Sequence, residues 1–268
     1  MSALSAVSDT LYIPLLGRVY ASRCHPEVLY DEAALTVYDS LTQSIKDMPG
    51  QTEYTSLASA VRSLNMDYYI QAFLAVHPDA VIVNIGCGLE TLYQRNDNGT
   101  AIWYELDLPE VLALRRRYFP PAERDRYLAC SMFDYDWIHT VQQAEAHSTL
   151  IIASGLFLYF PEEQVLDLIH HLAAFPGAML VFDTVSPAGL KIARRMIVKM
   201  GKRDAQVFFC VHTAKALTNK LFPGVRIIGD RNFYSLLHSR SKLAYNTRFR
   251  MIVSDLFRMV KIICLKFP

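Results

Sequence analysis

The segment Ala80-Val81-Ile82-Val83-Asn84-Ile85 is a β-branched, apolar run that stops at Gly86-Cys87-Gly88. Apolar runs of strand length belong to strands buried on both faces, and such strands make parallel sheets covered by helices. Glycine directly after the run lets the chain turn tightly and lets a ligand approach the backbone. The pattern repeats along the chain. Residues 101–106 lead to Asp107, residues 127–130 make a short third run, residues 149–154 a fourth, and residues 178–182 a fifth ending at Asp183.

Between these runs the spacing turns helical. From Glu53 onward Tyr54, Leu57, Ala58, Val61, Leu64, Tyr68, Ala72 and Phe73 recur mostly at intervals of three and four, and His77-Pro78-Asp79 ends the pattern. Pro109-Glu110 and Pro161-Glu162-Glu163 open further helices. Strands alternating with helices predict an α/β fold with a doubly wound, mostly parallel sheet. Residues 224–228 and 261–267 are expected to add an antiparallel C-terminal edge pair. Residues 1–78 are expected to form a helical N-terminal lid, and residues 79–268 the core, with a further covering insert at 186–212. Ligands bind such sheets beyond the carboxyl ends of the strands, where Gly86, Asp107, Asp134, Ser154 and Asp183 would meet.

The glycine turn alone could be a plain strand-to-helix connection. Asp107 changes its meaning, because a carboxylate about twenty residues beyond the turn, at the next strand end, can accept both ribose hydroxyls of an adenosine. Thr91 stands where a dinucleotide binder has its third glycine, and the turn lacks the lysine of a phosphate loop. A cofactor without phosphates fits better, and S-adenosylmethionine is the common one. Asp107 could instead cap the helix at Pro109, and Asp134 and Asp136 could cap one containing Trp137. Arg62 could be a solvated helix arginine. The run Arg115-Arg116-Arg117 is expected to be a solvated helix end favoured by the dipole.

Four strings occur in order: Val83-Asn84-Ile85-Gly86-Cys87-Gly88-Leu89-Glu90-Thr91, Tyr104-Glu105-Leu106-Asp107-Leu108-Pro109-Glu110-Val111, Ile152-Ala153-Ser154-Gly155-Leu156-Phe157-Leu158-Tyr159, and Phe175-Pro176-Gly177-Ala178. Together they resemble the leucine carboxyl methyltransferase superfamily, in particular its bacterial branch, from about Leu11 to the C-terminus. The resemblance implies a class I, Rossmann-like methyltransferase. It places Gly86 and Gly88 against the amino-acid part of S-adenosylmethionine and Asp107, with Leu108 beside it, at the ribose. Arg62 matches the family arginine that pairs with the cofactor carboxylate, and Arg18 matches a basic residue that can reach the same group. Ser131 and Met132 fall at the adenine, with Asp134 in a variant of that motif. Ser154 replaces a common glutamate and Glu90 an aspartate. Tyr20 and Tyr159 are expected at the acceptor, within an aromatic lining shared with Tyr12, Tyr30, Phe208 and Phe209.

Net charge is +1, which gives no excess of positive charge to release counterions from a nucleic acid. The five cysteines, Cys24, Cys87, Cys130, Cys210 and Cys264, lack the close spacing of zinc sites. Adjacent His170 and His171 point to different helix faces, so no metal site is expected. No secretory leader and no membrane-spanning run is legible, and reduced thiols fit a cytoplasmic protein. The expected activity is O-methylation of a small-molecule carboxylate or hydroxyl, in secondary metabolism, with no nucleic-acid or membrane partner. Methylation of a peptide or protein C-terminus and cofactor binding without turnover are the alternatives. A nicotinamide-dependent reductase is weakened by Thr91. Oligomeric state and a catalytic base are not legible.

Overall fold

The computed structural model describes residues 3–144, 148–199 and 206–268. Four helices come first: α1 (Ala3–Cys24), α2 (Glu32–Ser40), α3 (Gln43–Lys46) and α4 (Glu53–Leu74). There follow β1 (Val81–Ile85), α5 (Leu92–Asn96), β2 (Ile102–Asp107), α6 (Pro109–Arg115), β3 (Asp125–Ala129), α7 (Asp136–Gln142) and β4 (Thr149–Ala153). The chain continues through α8 (Glu162–His171), β5 (Met179–Val185), α9 (Pro187–Lys199), α10 (Ala214–Thr218), β6 (Arg226–Asn232), α11 (Tyr245–Leu256) and β7 (Val260–Lys266).

The strands form one seven-stranded sheet in the order β3-β2-β1-β4-β5-β7-β6. The first five are parallel, and β7 runs antiparallel to both β5 and β6. Alternation along each central strand sends residues to opposite faces. Val81, Val83 and Ile85 of β1 pack with Trp137, Val165 and Leu168 from α7 and α8. Ile82, Trp103, Leu150 and Ile152 face Leu57, Val61, Ile70 and Phe73 of α4. That double burial is why the central strands are continuous apolar runs. It also makes α4 a layer of the sheet itself, while α1 and α2 share a smaller cluster built on Leu15, Val19, Ala34 and Val37.

The edge strand differs from expectation. β6 starts at Arg226, not Gly224, because Gly224 turns at a φ of 94°. It then runs on through Gly229-Asp230-Arg231-Asn232, with a bulge between Ile227 and Gly229. A solvent-facing edge needs no apolar run, and a bulge discourages further strand pairing. β5 likewise continues past Asp183 to Val185, held by pairing of Asp183 with Ile262 and of Val185 with Val260.

Candidate functional site

Because β2 and β3 lie on one side of β1, and β4 and β5 on the other, the strand order reverses between β1 and β4. A crevice opens at such a reversal. The turn after β1 begins at Gly86, whose φ of 66° is in the left-handed region and whose absent Cβ would lie 2.6 Å from Leu156 Cδ1. The backbone favours glycine there, and a Cβ would also have to push the Leu156 side chain aside.

Asp107, the last residue of β2, ties the turn down. Its Oδ2 accepts the Gly88 N–H at 2.8 Å and its Oδ1 the Leu108 N–H at 2.8 Å. Asp107 therefore does not cap α6, whose N-cap is Leu108 and carries no side-chain cap bond. An ionised carboxylate offers about four acceptor positions, so roughly two remain for a ligand hydroxyl pair. Burial pushes this carboxyl up, opposed by the Gly88 and Leu108 N–H groups and by Arg115.

Arg115 corrects the sequence reading. It is fully buried, not solvated. Its guanidinium donates to the Gly88 carbonyl at 3.1 Å, the Glu90 carbonyl at 2.5 Å and the Tyr127 hydroxyl at 3.0 Å. It also faces Glu105 Oε1 at 3.3 Å, and Asn84 donates to the other Glu105 oxygen at 2.7 Å. One buried cation thus grips two carbonyls of the glycine turn. A signal was present, since Arg115 lies four residues after the buried Val111 and so on the same helix face.

On the other side of the turn is a second buried charge cluster. Arg18 is 1% exposed and donates to Asp31 at 2.8 Å, Glu90 at 3.1 Å and the Leu89 carbonyl at 2.6 Å. Arg95 reaches Asp31, Asp67 and Glu90, and Ser63 donates to Glu90 at 2.8 Å. Burial alone would raise the Glu90 carboxyl, but Arg18 and Arg95 with the Thr91 N–H and Ser63 bring it down to about 2. All three nitrogens of Arg18 are engaged by protein groups, so its charge is not presented to the crevice. It acts on the loop that follows the glycines. Thr91, in place of a third glycine, donates to Asp31 at 2.5 Å and belongs to the same cluster.

At the end of β4, Ser154 is half-buried and Gly155 takes a φ of 65°. The Gly155 N–H donates to Asp183 at 2.5 Å, and Arg62 Nε donates to the other Asp183 oxygen at 3.0 Å. Gly155 and Arg62 are in contact, because a Cβ on the glycine would sit 3.3 Å from the guanidinium carbon. Tyr159, in the 3-10 turn Phe157–Tyr159, is partly exposed. Burial raises its phenol, with Arg62 opposing and Asp183 adding to the rise. Arg62, Asp183 and Tyr159 therefore form one group at the mouth, and Asp183 is the member whose role the sequence did not reveal.

Tyr20 lies beside His25 with the two rings tilted, centroids 5.8 Å apart, and burial raises its phenol, with Cys24 and Glu53 adding to the rise. Glu53 starts α4, about 13 Å along the helix from Arg62 at 1.5 Å per residue. Tyr12 and Phe209 are buried in the core. Tyr30 and Phe208 are exposed, and residues 200–205 of the expected insert lie outside the described residues. Ser131 turns the chain, its carbonyl accepting the Asp134 N–H at 3.0 Å, while Met132 is buried and its carbonyl holds the Trp137 indole at 3.1 Å. Asp134 is exposed, and neither it nor Asp136 caps α7, whose N-cap is Tyr135 without a side-chain bond.

Residues 9–173 match the leucine carboxyl methyltransferase family. The tetracenomycin polyketide synthesis O-methyltransferase TcmP of Streptomyces glaucescens is 31% identical over 196 residues, 71% of this chain and 70% of the relative. Among solved structures, a candidate methyltransferase of Thermobifida fusca YX superposes with a TM-score of 0.57 at 16% identity, covering 94% of each chain. A SAM-dependent methyltransferase of Anabaena variabilis ATCC 29413 gives 0.53 at 15% identity, covering 77% of this chain and 84% of its own. At these identities the two structures attest the fold.

Proposed function

The chain belongs to the leucine carboxyl methyltransferase family and is a methyltransferase that uses S-adenosylmethionine, and from that premise we propose that its acceptor is a small molecule methylated on a carboxylate or hydroxyl oxygen. The observation that carries the donor side is the junction of Gly86, Gly88 and Asp107, a cradle without Cβ atoms beside a carboxylate with acceptor capacity to spare. The 31% identical relative, named for O-methylation in polyketide synthesis, supports oxygen as the reacting atom and secondary metabolism as the setting.

When bound, the cofactor supplies an electrophilic methyl group on a sulfonium. This chain's residues bind and align. Asp107 receives the ribose hydroxyls, with Leu108 packed beside it. Ser131, Met132 and Asp134 border the adenine, and Gly86, Gly88 and Ser154 border the amino-acid arm. Arg62 receives the cofactor carboxylate, and Asp183 keeps the guanidinium oriented until it arrives. Tyr159 borders the acceptor. Residues 11–47, ahead of α4, cover the pocket from the N-terminal side. Alignment and exclusion of water carry much of the acceleration, because methyl transfer needs an in-line approach of the oxygen. A carboxylate acceptor is already ionised at neutral pH and needs no base. No helix among the described residues is long and apolar enough to cross a membrane.

The test is incubation with methyl-labelled cofactor and three acceptor sets: aromatic carboxylic acids, phenols, and peptides ending in a free carboxylate. Base-labile label on the acids, or base-stable label on the phenols, is the expected result. Transfer to the peptides alone would overturn the small-molecule reading.

A further inference from the structure

An open depression lies between the start of α9, the segment before α10 and the end of α11. It is lined by Ser186, Pro187, His212, Leu256, Phe257 and Arg258. Its place in the sheet is fixed by three contacts. Val185 pairs with Val260, the Ser186 N–H donates to the Met259 carbonyl at 2.9 Å, and the Val211 N–H donates to the Val185 carbonyl at 2.8 Å. The depression therefore opens on the carboxyl edge of β5, the edge that also carries Asp183 and the Ser154–Gly155 turn. Ser186 is three residues beyond Asp183, about 10 Å at the rise of a strand.

The lining has two unusual features. Leu256 and Phe257 are 72% and 62% exposed, a paired apolar surface without cover among the described residues. Arg258 has a φ of 47° and, among the described residues, is the only non-glycine with positive φ. It follows the helix C-cap Phe257, a position where glycine is the usual resident because a Cβ is strained there. Strain retained at one side chain points to a use for that side chain. An ion pair with Asp230 on β6 orients the guanidinium. Across the depression the His212 segment is pinned by the buried Lys261, which donates to the His212 carbonyl at 2.7 Å.

We propose that this depression binds the far end of the methyl acceptor, and that the acceptor is an elongated, ring-bearing acid. Its apolar body lies on Leu256, Phe257 and Pro187, and its distal carboxylate pairs with Arg258 beside the His212 imidazole. Its reacting oxygen reaches back about 10 Å along the sheet edge to the Asp183 side of the cleft. The proposal rests on the methyltransferase reading for what happens at that oxygen, but not for binding at this end.

The experiment titrates naphthoate and its neutral isostere naphthamide into protein saturated with S-adenosylhomocysteine, which keeps both probes out of the donor site. Naphthoate is expected to bind about ten-fold more tightly, the worth of a charge-assisted hydrogen bond. Arg258→Gly suits the left-handed backbone, so it is expected to fold, to keep its S-adenosylhomocysteine affinity and to lose the preference for the acid. Phe257→Ser should weaken both probes alike. Absence of saturable naphthoate binding at millimolar concentration, or a preference that survives Arg258→Gly, overturns the proposal. Failure of S-adenosylhomocysteine to bind would instead strike the donor reading, and the naphthoate titration, repeated without it, still decides the depression.

Discussion

Replacing Arg115 by methionine isolates the buried cation that grips the glycine turn. Methionine keeps most of the volume and removes every polar contact. Lost with it are the bonds to the Gly88 and Glu90 carbonyls, the Tyr127 hydroxyl and the ion pair to Glu105. Both Arg115 and Glu105 are fully buried, so the variant strands a carboxylate with Asn84 and the Cys87 thiol to bond it and no cation beside it. Breaking a buried pair by removing one partner costs about 3 to 5 kcal/mol, and stranded carbonyls add to that incompletely. We therefore expect a loss of about 4 kcal/mol, a large share of the roughly 5 to 15 kcal/mol that holds a domain folded. Urea unfolding should show a lower midpoint at unchanged slope. Part of the loss should return at mildly acid pH, because burial raises the Glu105 carboxyl and protonation removes the stranded charge. Adding Glu105→Gln should restore about half of it, since the amide carries no charge and still fits Asn84. S-adenosylhomocysteine affinity should fall about ten-fold as the turn loosens. A destabilisation below about 1 kcal/mol, typical of a surface pair, would refute the reasoning, as would a double variant no more stable than the single one.

Asp107→Ala should weaken S-adenosylhomocysteine by roughly 1 to 3 kcal/mol in calorimetry while the protein stays folded, and unchanged affinity would reduce Asp107 to a brace for Gly88. Arg62→Ala should cost about 2 kcal/mol in binding of the same ligand and almost nothing for methylthioadenosine, which lacks the carboxylate; equal losses would show that Arg62 supports only the Asp183 turn. Asp125 sets a pH dependence. It is buried with both carboxyl oxygens lacking a hydrogen bond, and burial, with the Glu105 charge, raises it to about 7. An unfolded aspartate titrates near 3.9, so the folded state holds the extra proton between the two values and loses stability as pH rises through that window, by at most about 1.4 kcal/mol per unit. Asp125→Asn should flatten that slope in urea midpoints taken from about pH 4 to 8, and a slope identical to the parent would exclude this carboxyl as its source.

The glycine turn and the acid at the next strand end were legible because each is local. A strand covered on both faces must be apolar throughout, which exposes Val81–Ile85 and makes the Gly86 turn and the Asp107 strand end stand out. The parts that were missed are decided by tertiary contact. An arginine run reads as solvated because most arginines are, and nothing beside Arg115 in sequence announces that Glu105 and two turn carbonyls enclose it. Arg18, expected at the cofactor carboxylate, is enclosed by Asp31, Glu90 and the Leu89 carbonyl, partners that its sequence neighbours do not announce. Tyr12 and Phe209, expected in an aromatic lining, have the burial of core residues, which residue type alone does not announce. The β6 edge lacks an apolar pattern because its pairing is supplied by the β7 backbone and its outer side faces water. A cleft whose walls come from the ends of α9 and α11 leaves still less trace, because Ser186 and Arg258 meet only when β5 and β7 pair. Cofactor identity can thus be carried by a contiguous motif, whereas acceptor identity depends on side chains that the sequence separates and the sheet edge brings together.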